Sequence, residues 1–258
     1  DRSRATLYDI AVRTLVESWA RLRSDVWDAD QARPVQYAEE GLAVLPGLAW
    51  HMHEHCSGGL IPKGELLQEI AARLPTPGPG VTTPSPAQRA GDFLSRLEQS
   101  GGLLLPRGPE EWCFSHPTFQ EYLAAKHVVA QEEHQTKLLP LRYRPRLREV
   151  ILLAAGELGS VQRRVRAASA FVRAILDDPR DWRATDLRMN LVIALLCATE
   201  AILEDELLDR LADAYMEASE RVSLKDRLPL RLLAGTPLAG RLIERLRSES
   251  ELPFDNAV

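Results

Sequence analysis

Two short apolar runs constrain the fold of this chain more than any other feature: LLLPR at 103–107 and EWCFSH at 111–116, joined by GPE. Runs of this length on either side of a Gly-Pro turn predict a β-hairpin. Before the hairpin, apolar positions repeat with helical spacing in three segments: 41–56, 62–74 and 87–99. Leu60 and Ile61 can form a minimal strand between the first two of these segments. The expected order is therefore helix, strand, helix, helix and hairpin.

That order is typical of a winged-helix domain, which has a three-helix core and a β wing. An amphipathic helix over residues 5–22 is predicted ahead of it, from apolar side chains at helical spacing: Leu7, Ile10, Ala11, Leu15 and Trp19. The segment 75–86 is rich in Pro and Gly and predicts an exposed loop. We thus expect a lead-in segment at 1–40 and a winged-helix domain at 41–130.

Beyond the hairpin, every apolar pattern is helical. The segments are 119–130, 146–158, 162–176, 186–199, 204–221 and 227–247, with turns expected at Gly159, at Asp177 to Pro179 and at Ser223. We expect residues 131–258 to form an all-α superstructure, HEAT-like or irregular, which is truncated in this chain. The predicted fold class is mainly α: a winged-helix domain with a small β wing, followed by this helical region.

The junction between hairpin and helix carries a local signal. Thr118 is followed three residues later by Glu121, which predicts a capping box, with Pro117 extended just outside the helix. His116 is then expected at the mouth of a helix, where unpaired N–H groups favour a phosphate. We expect the side chains of Phe114, Phe119, Tyr122 and Leu123 to pack in the core and fix the wing against this helix.

Charge and cysteine content restrict the classes of function. The net charge is −5 and the isoelectric point is about 5.8, which argues against a general affinity for nucleic acid. The three cysteines, Cys56, Cys113 and Cys197, are far apart in the sequence and odd in number, so we expect free thiols and no disulfides. Free thiols are typical of a reducing compartment, and we expect a cytoplasmic location. No apolar run approaches the roughly 18–20 residues of a membrane span. We therefore expect neither nucleic acid nor a membrane as a partner.

The segment FSHPTFQEYLAAKH at 114–127 resembles the C-terminal signature of the NACHT group of signal-transducing NTPases with numerous domains (STAND class, NLR-like proteins of bacteria). In that signature a phenylalanine, a histidine and an FQEYLAA-like helix end a winged-helix domain. LYDIAVRTLVESW at 7–19 resembles the helix that leads into that domain, and LREVILLAAGELG at 147–159 resembles the start of the helical region after it.

The resemblance implies a role for His116: the histidine of this signature reaches the β-phosphate of bound ADP and holds a conformational switch closed. The chain has no G-x-x-x-x-G-K-[ST] phosphate loop and no apolar strand ending in paired acids. We therefore expect no catalysis by this segment and an NTPase domain N-terminal to Asp1. ADP or ATP with Mg²⁺ is expected only in the parent protein. The implied partners are that domain, and a trigger and an effector, both expected to be proteins of bacterial defence signalling.

Two other features of the sequence concern metal binding and DNA binding. His51 and His55 lie one helical turn apart and Cys56 is adjacent, but no second cluster supplies further ligands, so no metal site is predicted. The rival class is a winged-helix DNA-binding transcription regulator with a helical ligand or dimerisation module. The third helix predicted for this chain, which would have to read the DNA, offers only Arg89 and Arg96 as cations, and nearby acidic residues cancel their charge. The arginine clusters at 141–149 and 162–166 are interpreted as a solvated or domain-contact face.

Overall fold

The computed structural model describes residues 3–21, 33–76, 84–100, 102–179, 188–221 and 233–250. Its α-helices are α1 (Arg4–Arg21), α2 (Arg33–His55), α3 (Lys63–Arg73), α4 (Pro86–Ser100), α5 (Pro117–Val129), α6 (His134–Leu138), α7 (Arg148–Gly156), α8 (Val165–Asp177), α9 (Met189–Glu200), α10 (Asp205–Arg221) and α11 (Pro237–Ser250). Its strands are β1 (Ile61–Pro62), β2 (Leu104–Pro106) and β3 (Glu111–Phe114). The predicted turn at Ser223 lies outside the described residues.

The strands form one antiparallel sheet in the order β1-β3-β2. Ile61 is opposite Trp112 in the first pair, and Leu104 is opposite Phe114 in the second. The predicted hairpin is thus confirmed as β2 and β3, and the minimal strand after α2 joins its free edge. Side chains alternate along β3, so that Trp112 and Phe114 are buried and face the helices.

The core of the winged helix lies between α2, α3, α4 and the sheet, and α5 packs along α2. Its fully buried large side chains come from all three predicted helices: Leu45, Leu48 and Met52 in α2, Leu66 and Ile70 in α3, and Phe93 and Leu97 in α4. Burying one such side chain contributes about 1.5–3 kcal/mol. The prediction of a mainly α fold, with a winged helix followed by a helical region, is confirmed.

Helix α2 is longer than the sequence pattern predicts. It begins at Arg33, eight positions before the predicted start at residue 41, and ends at His55. Pro34 lies in its first turn, where the missing N–H would have had no helical partner. Residues 33–40 carry only three apolar residues, Val35, Tyr37 and Ala38, so periodicity gives a weaker signal here than after residue 41.

Helices α7 to α11 form the region after the winged helix. Helix α7 packs on α5, α9 packs on both α7 and α8, and α11 packs on α10. Along α10 and α11, Arg241 contacts Asp205 and Asp209, and Arg245 contacts Asp209 and Asp213. None of the described helices is both long and apolar enough to cross a membrane.

The turn predicted at Gly159 is wrong. Glu157–Val161 continues α7 as a wider π-helical turn, and Gly159 is buried in it. The chain reverses later, at Arg163, which has a left-handed backbone with φ 57°. Glycine is needed at 159 for close packing, because a Cβ there would lie 2.6 Å from the carbonyl oxygen of Ile202.

Candidate functional site

His116 is the N-cap of α5. Its backbone is extended, and its Nδ1 accepts a hydrogen bond from the Thr118 amide at 3.2 Å. The predicted capping box is therefore wrong: Pro117 is the first helical residue and Thr118 the second. Proline at the first position loses no helical hydrogen bond, so the helix starts there and the imidazole takes the role predicted for Thr118.

The cap selects the tautomer of the neutral imidazole. Because Nδ1 accepts from the Thr118 amide, a neutral ring carries its proton on Nε2. The Thr118 hydroxyl also contacts Nδ1. The His116 side chain is exposed, and among the described residues Nε2 has no hydrogen-bond partner. The ring thus offers an N–H donor at the N-terminus of a 13-residue helix.

The aromatic side chains of the motif hold His116 in place. Phe114, Tyr122 and Leu123 are buried, as predicted. Phe119 is only partly buried, and its ring packs edge-on between those of His116, at 6.4 Å, and Tyr8, at 6.3 Å. The orientation of the imidazole is therefore coupled to α1 through a row of aromatic rings.

A buried polar network joins α1, α5 and the π-helical turn. The Tyr122 hydroxyl lies 2.8 Å from Asp9 Oδ1 and 2.8 Å from Glu157 Oε2. The Lys126 ammonium reaches the same two carboxylates at 2.9 and 3.2 Å. Burial and the two carboxylates raise the pKa of Tyr122, which keeps its hydroxyl protonated. Burial by itself would raise the pKa of Asp9, but hydrogen bonds led by that from Lys126 outweigh it and lower the pKa.

The network was not predicted from the sequence. Asp9 is 113 positions from Tyr122, and no local pattern indicates the pairing. The sequence predicted only that Tyr122 packs in the core, although the face of α5 toward α1 carries both Tyr122 and Lys126. Within a signature expected to be structural, these two residues form the connection to the lead-in helix.

Glu121 does not cap the helix. It is half-buried, and burial, together with the charge of Glu149, raises its pKa to about 7. Arg4 partly opposes this shift, while its own guanidinium is bound by Glu149 at 3.0 Å and by Glu200 at 2.5 Å. Glu121 is therefore an acid that titrates near neutrality, one turn from His116.

The helix that would read DNA in a winged-helix regulator, α4, has its cations engaged within the protein. Arg96 pairs with Glu40 at 3.1 Å and is largely buried. Arg89 donates to the carbonyl oxygen of Pro75 at 2.8 Å. A recognition helix needs cations and polar side chains directed into a groove. Among the described residues, both cations of α4 are thus used inside the protein, which does not favour DNA binding.

The arginine cluster at 141–149 makes internal contacts. Arg142 is buried and lies 3.3 Å from Asp178, and its Nε donates to Asn190 at 2.9 Å. Arg146 donates to the carbonyl oxygen of Cys56 at 2.9 Å, and the buried His53 donates to the carbonyl oxygen of Arg146 at 2.6 Å. Burial lowers the pKa of His53 and keeps it neutral. Arg146 and His53 thus join the end of α2 to the turn before α7, and Arg142 packs against the segment around Asp178 and Asn190.

A three-helix core, a three-stranded antiparallel wing and a closing helix capped by His116 define this part of the chain as a winged-helix domain. Residues 4–128 match the family model of the winged helix-turn-helix domain C-terminal to NACHT. The resemblance seen in the motif at 114–127 is confirmed. The matched segment is not the NTPase domain itself. No curated protein and no solved structure matches the chain.

Proposed function

We propose that this chain is the conformational-switch segment of a NACHT-type ATPase and that His116 senses ADP. The observation that carries the proposal is the position of the imidazole, which is exposed and accepts a hydrogen bond at Nδ1, so that a neutral ring carries its proton on Nε2. In the closed parent protein, Nε2–H would donate to the β-phosphate of ADP. The nucleotide, with Mg²⁺ when it is ATP, would be held by an NTPase domain N-terminal to this segment.

The N-terminus of α5 favours the same ligand. The first N–H groups of a helix carry a partial positive charge that stabilises an anion. A charge-assisted hydrogen bond to a diphosphate contributes about 1.5–3 kcal/mol. This free energy biases a two-state equilibrium by roughly 10- to 150-fold, which is the usual range of allosteric coupling. Exchange of ADP for ATP would break the bond and release the winged helix.

Movement of α5 would be passed to α1 through the Tyr122 network. Lys126 and Tyr122 bind Asp9, so the two helices are connected by charged hydrogen bonds as well as by apolar packing. On the outer face of α1, Leu7 is 62% exposed and Ile10 is 59% exposed. This exposed face would contact the NTPase domain, because a pair of neighbouring apolar side chains is more stable covered than in water.

The helical region would serve as a lever or as a surface for a partner. The trigger and the effector would both be proteins, and the parent would act in the cytoplasm in bacterial defence signalling. These assignments rest on the NACHT association of residues 4–128.

The test separates sensing from capping. In the ADP-loaded parent protein, His116→Asn keeps an acceptor for the Thr118 amide, because asparagine is a preferred N-cap, but it lacks Nε2. We expect ADP to dissociate about 10- to 150-fold faster from this variant, in line with the loss of one charged hydrogen bond. The exposed His55 provides the matched control, and His55→Asn should release ADP at the unmodified rate. A folded His116→Asn parent with unchanged ADP release and unchanged activity contradicts the proposal.

A further inference from the structure

Three metal-ligating side chains converge where α2 ends and α3 begins. His51 lies near the end of α2, Cys56 directly follows that helix, and Glu65 lies in the first turn of α3. One ligand atom of each lies within 4.8 Å of the others. We propose that these residues, the His51 cluster, bind a divalent cation of the zinc type. The proposal is independent of ADP sensing, because the cluster is built from other residues.

The set of ligands suits zinc. Imidazole, thiolate and carboxylate are the three protein ligands that Zn²⁺ takes in tetrahedral sites. Zinc bonds of about 2.0–2.3 Å place tetrahedral ligand atoms roughly 3.5 Å apart, so the ligand atoms need to move by only about an ångström. His51 Nε2 and Glu65 Oε1 are now 2.7 Å apart, at hydrogen-bond distance, and would separate slightly around an ion.

The charges balance around such an ion. One Zn²⁺, the Cys56 thiolate and the Glu65 carboxylate sum to zero, which matters because the cysteine is only 7% exposed. On binding, the thiol proton leaves to solvent as the sulfur–metal bond forms. The last carbonyl groups of α2 also point toward this end and favour a cation.

The second ring nitrogen of His51 already faces a carboxylate. Nδ1 lies 3.3 Å from Glu69 Oε2, one helical turn after Glu65, and Glu69 is itself bound by Arg73. Zinc-binding histidines commonly donate their other N–H to a carboxylate, which fixes the tautomer and directs the free nitrogen to the metal. Glu69 is thus a positioning residue for this site.

The backbone between the ligands is also fixed. Gly58 and Gly59 have φ values of 74° and 71°, which other residues adopt with difficulty, and they turn the chain from Cys56 back toward α3. The carbonyl group of Cys56 accepts from Arg146. His55 stacks on His51 at 4.7 Å, but its Nδ1 is bonded to the His51 carbonyl oxygen. No ligand atom of His55 belongs to the group of atoms that lie within 4.8 Å of one another, so the fourth position is assigned to water.

Cobalt is the probe for this site, because tetrahedral Co²⁺ with a thiolate ligand absorbs strongly. Titration of the 258-residue chain with Co²⁺ should give a sulfur-to-cobalt charge-transfer band at one equivalent, and Zn²⁺ should displace it. Cys56→Ser should abolish the band. His51→Gln and Glu65→Gln should weaken Co²⁺ binding by at least about tenfold, the lower end of the effect measured even for outer residues of zinc sites. Glu69→Gln should keep the band and bind more weakly.

Cys113→Ser is the matched control, because Cys113 lies in β3 and outside the cluster. It should leave the band and the affinity unchanged. The side chains of His51 and Glu65 are 18% and 40% exposed, so their variants test the site even if Cys56→Ser does not fold. The proposal is overturned if no charge-transfer band forms, if the band survives in Cys56→Ser, or if folded His51→Gln and Glu65→Gln bind Co²⁺ as tightly as the unmodified chain.

Discussion

The hydroxyl of Tyr122 lies 2.8 Å from Glu157 Oε2, inside the protein, where α5 meets the end of α7. Both side chains are fully or almost fully buried. The same hydroxyl also reaches Asp9, and one proton can serve only one carboxylate at a time, so the Lys126 ammonium is needed to satisfy both. The Tyr122 hydroxyl and the Lys126 ammonium thus join α5 to two segments that are distant in sequence, α1 and the π-helical turn after α7.

Tyr122→Phe should lower the free energy of unfolding by about 1–3 kcal/mol, since two buried carboxylates lose a shared partner. Urea unfolding at constant m value measures the change. Tyr8 is the matched control: its ring lies 6.2 Å from that of Tyr122, and no hydrogen bond involves its hydroxyl among the described residues. Tyr8→Phe should stay within about 0.5 kcal/mol. Equal losses in the two variants would show that the network contributes nothing.

Gly159→Ala should destabilise the protein by about 1–3 kcal/mol, in the range of an overpacked core. The new Cβ would lie 2.6 Å from the Ile202 carbonyl oxygen and 2.9 Å from the Ile202 nitrogen, and backbone atoms cannot rotate away. Gly240→Ala, in an exposed and open position of α11, should instead stabilise by about 0.5–1 kcal/mol because alanine is the better helix former. The two midpoints of thermal unfolding should therefore shift in opposite directions; shifts of the same sign count against the close packing at Gly159.

Glu121 should make stability fall with rising pH. Burial raises the pKa of Glu121 to about 7 in the folded chain, from the ordinary value of 4.5 that applies when the chain is unfolded. Between these two pH values the folded state holds the proton more tightly than the unfolded state does. Stability is then full at the acidic end of the window and is lost as pH rises through 7. Glu121→Gln should remove this slope and be more stable at pH 8 by roughly 1–3 kcal/mol. Unfolding free energies at pH 5.5 and 8 test this, with Glu244→Gln on the exposed face of α11 as a charge-matched control that keeps the slope. An unchanged slope in Glu121→Gln contradicts the shift.

The cap of α5 predicts a difference between two substitutions in this chain without nucleotide. His116→Ala removes the acceptor for the Thr118 amide and should cost about 1 kcal/mol. His116→Asn should cost only a few tenths, because its side-chain oxygen accepts the same bond. Chemical unfolding of both variants measures the difference. If they are equally stable, the imidazole does not cap the helix.

The order of elements was predictable because its signals are local. Apolar spacing revealed the helices of the winged helix, and the runs around GPE revealed β2 and β3. The start of α5 was misjudged although it is local, because two rules compete there. Thr118 and Glu121 have the spacing of a capping box, which would start the helix after Thr118, whereas proline is well accepted as the first helical residue, and in this chain the second rule decides the boundary.

The contacts between distant segments could not be predicted. The sequence placed His51, His55 and Cys56 on one predicted helix, with no second cluster to supply further ligands. Glu65 completes the cluster only because the glycine turn at 58–59 brings α3 back against the end of α2. In the same way, Asp9 and Glu157 reach the hydroxyl of Tyr122 only because α1 and α7 pack against α5. Side-chain periodicity does not report what covers a face. In α1 it also misplaces the buried face, because Leu7 and Ile10 of the predicted apolar face are exposed.

The pair of hydrogen bonds between the end of α2 and the turn before α7 has a mechanical consequence. His53 donates to Arg146 and Arg146 donates to Cys56, so the connection is made in both directions. A hinge needs a junction at which few contacts link the two sides. The junction between the end of α2 and the turn before α7 is linked by the buried imidazole of His53 and the guanidinium of Arg146. Movement of the end of α2 would therefore be passed to the turn before α7, and we do not expect a hinge between these two segments.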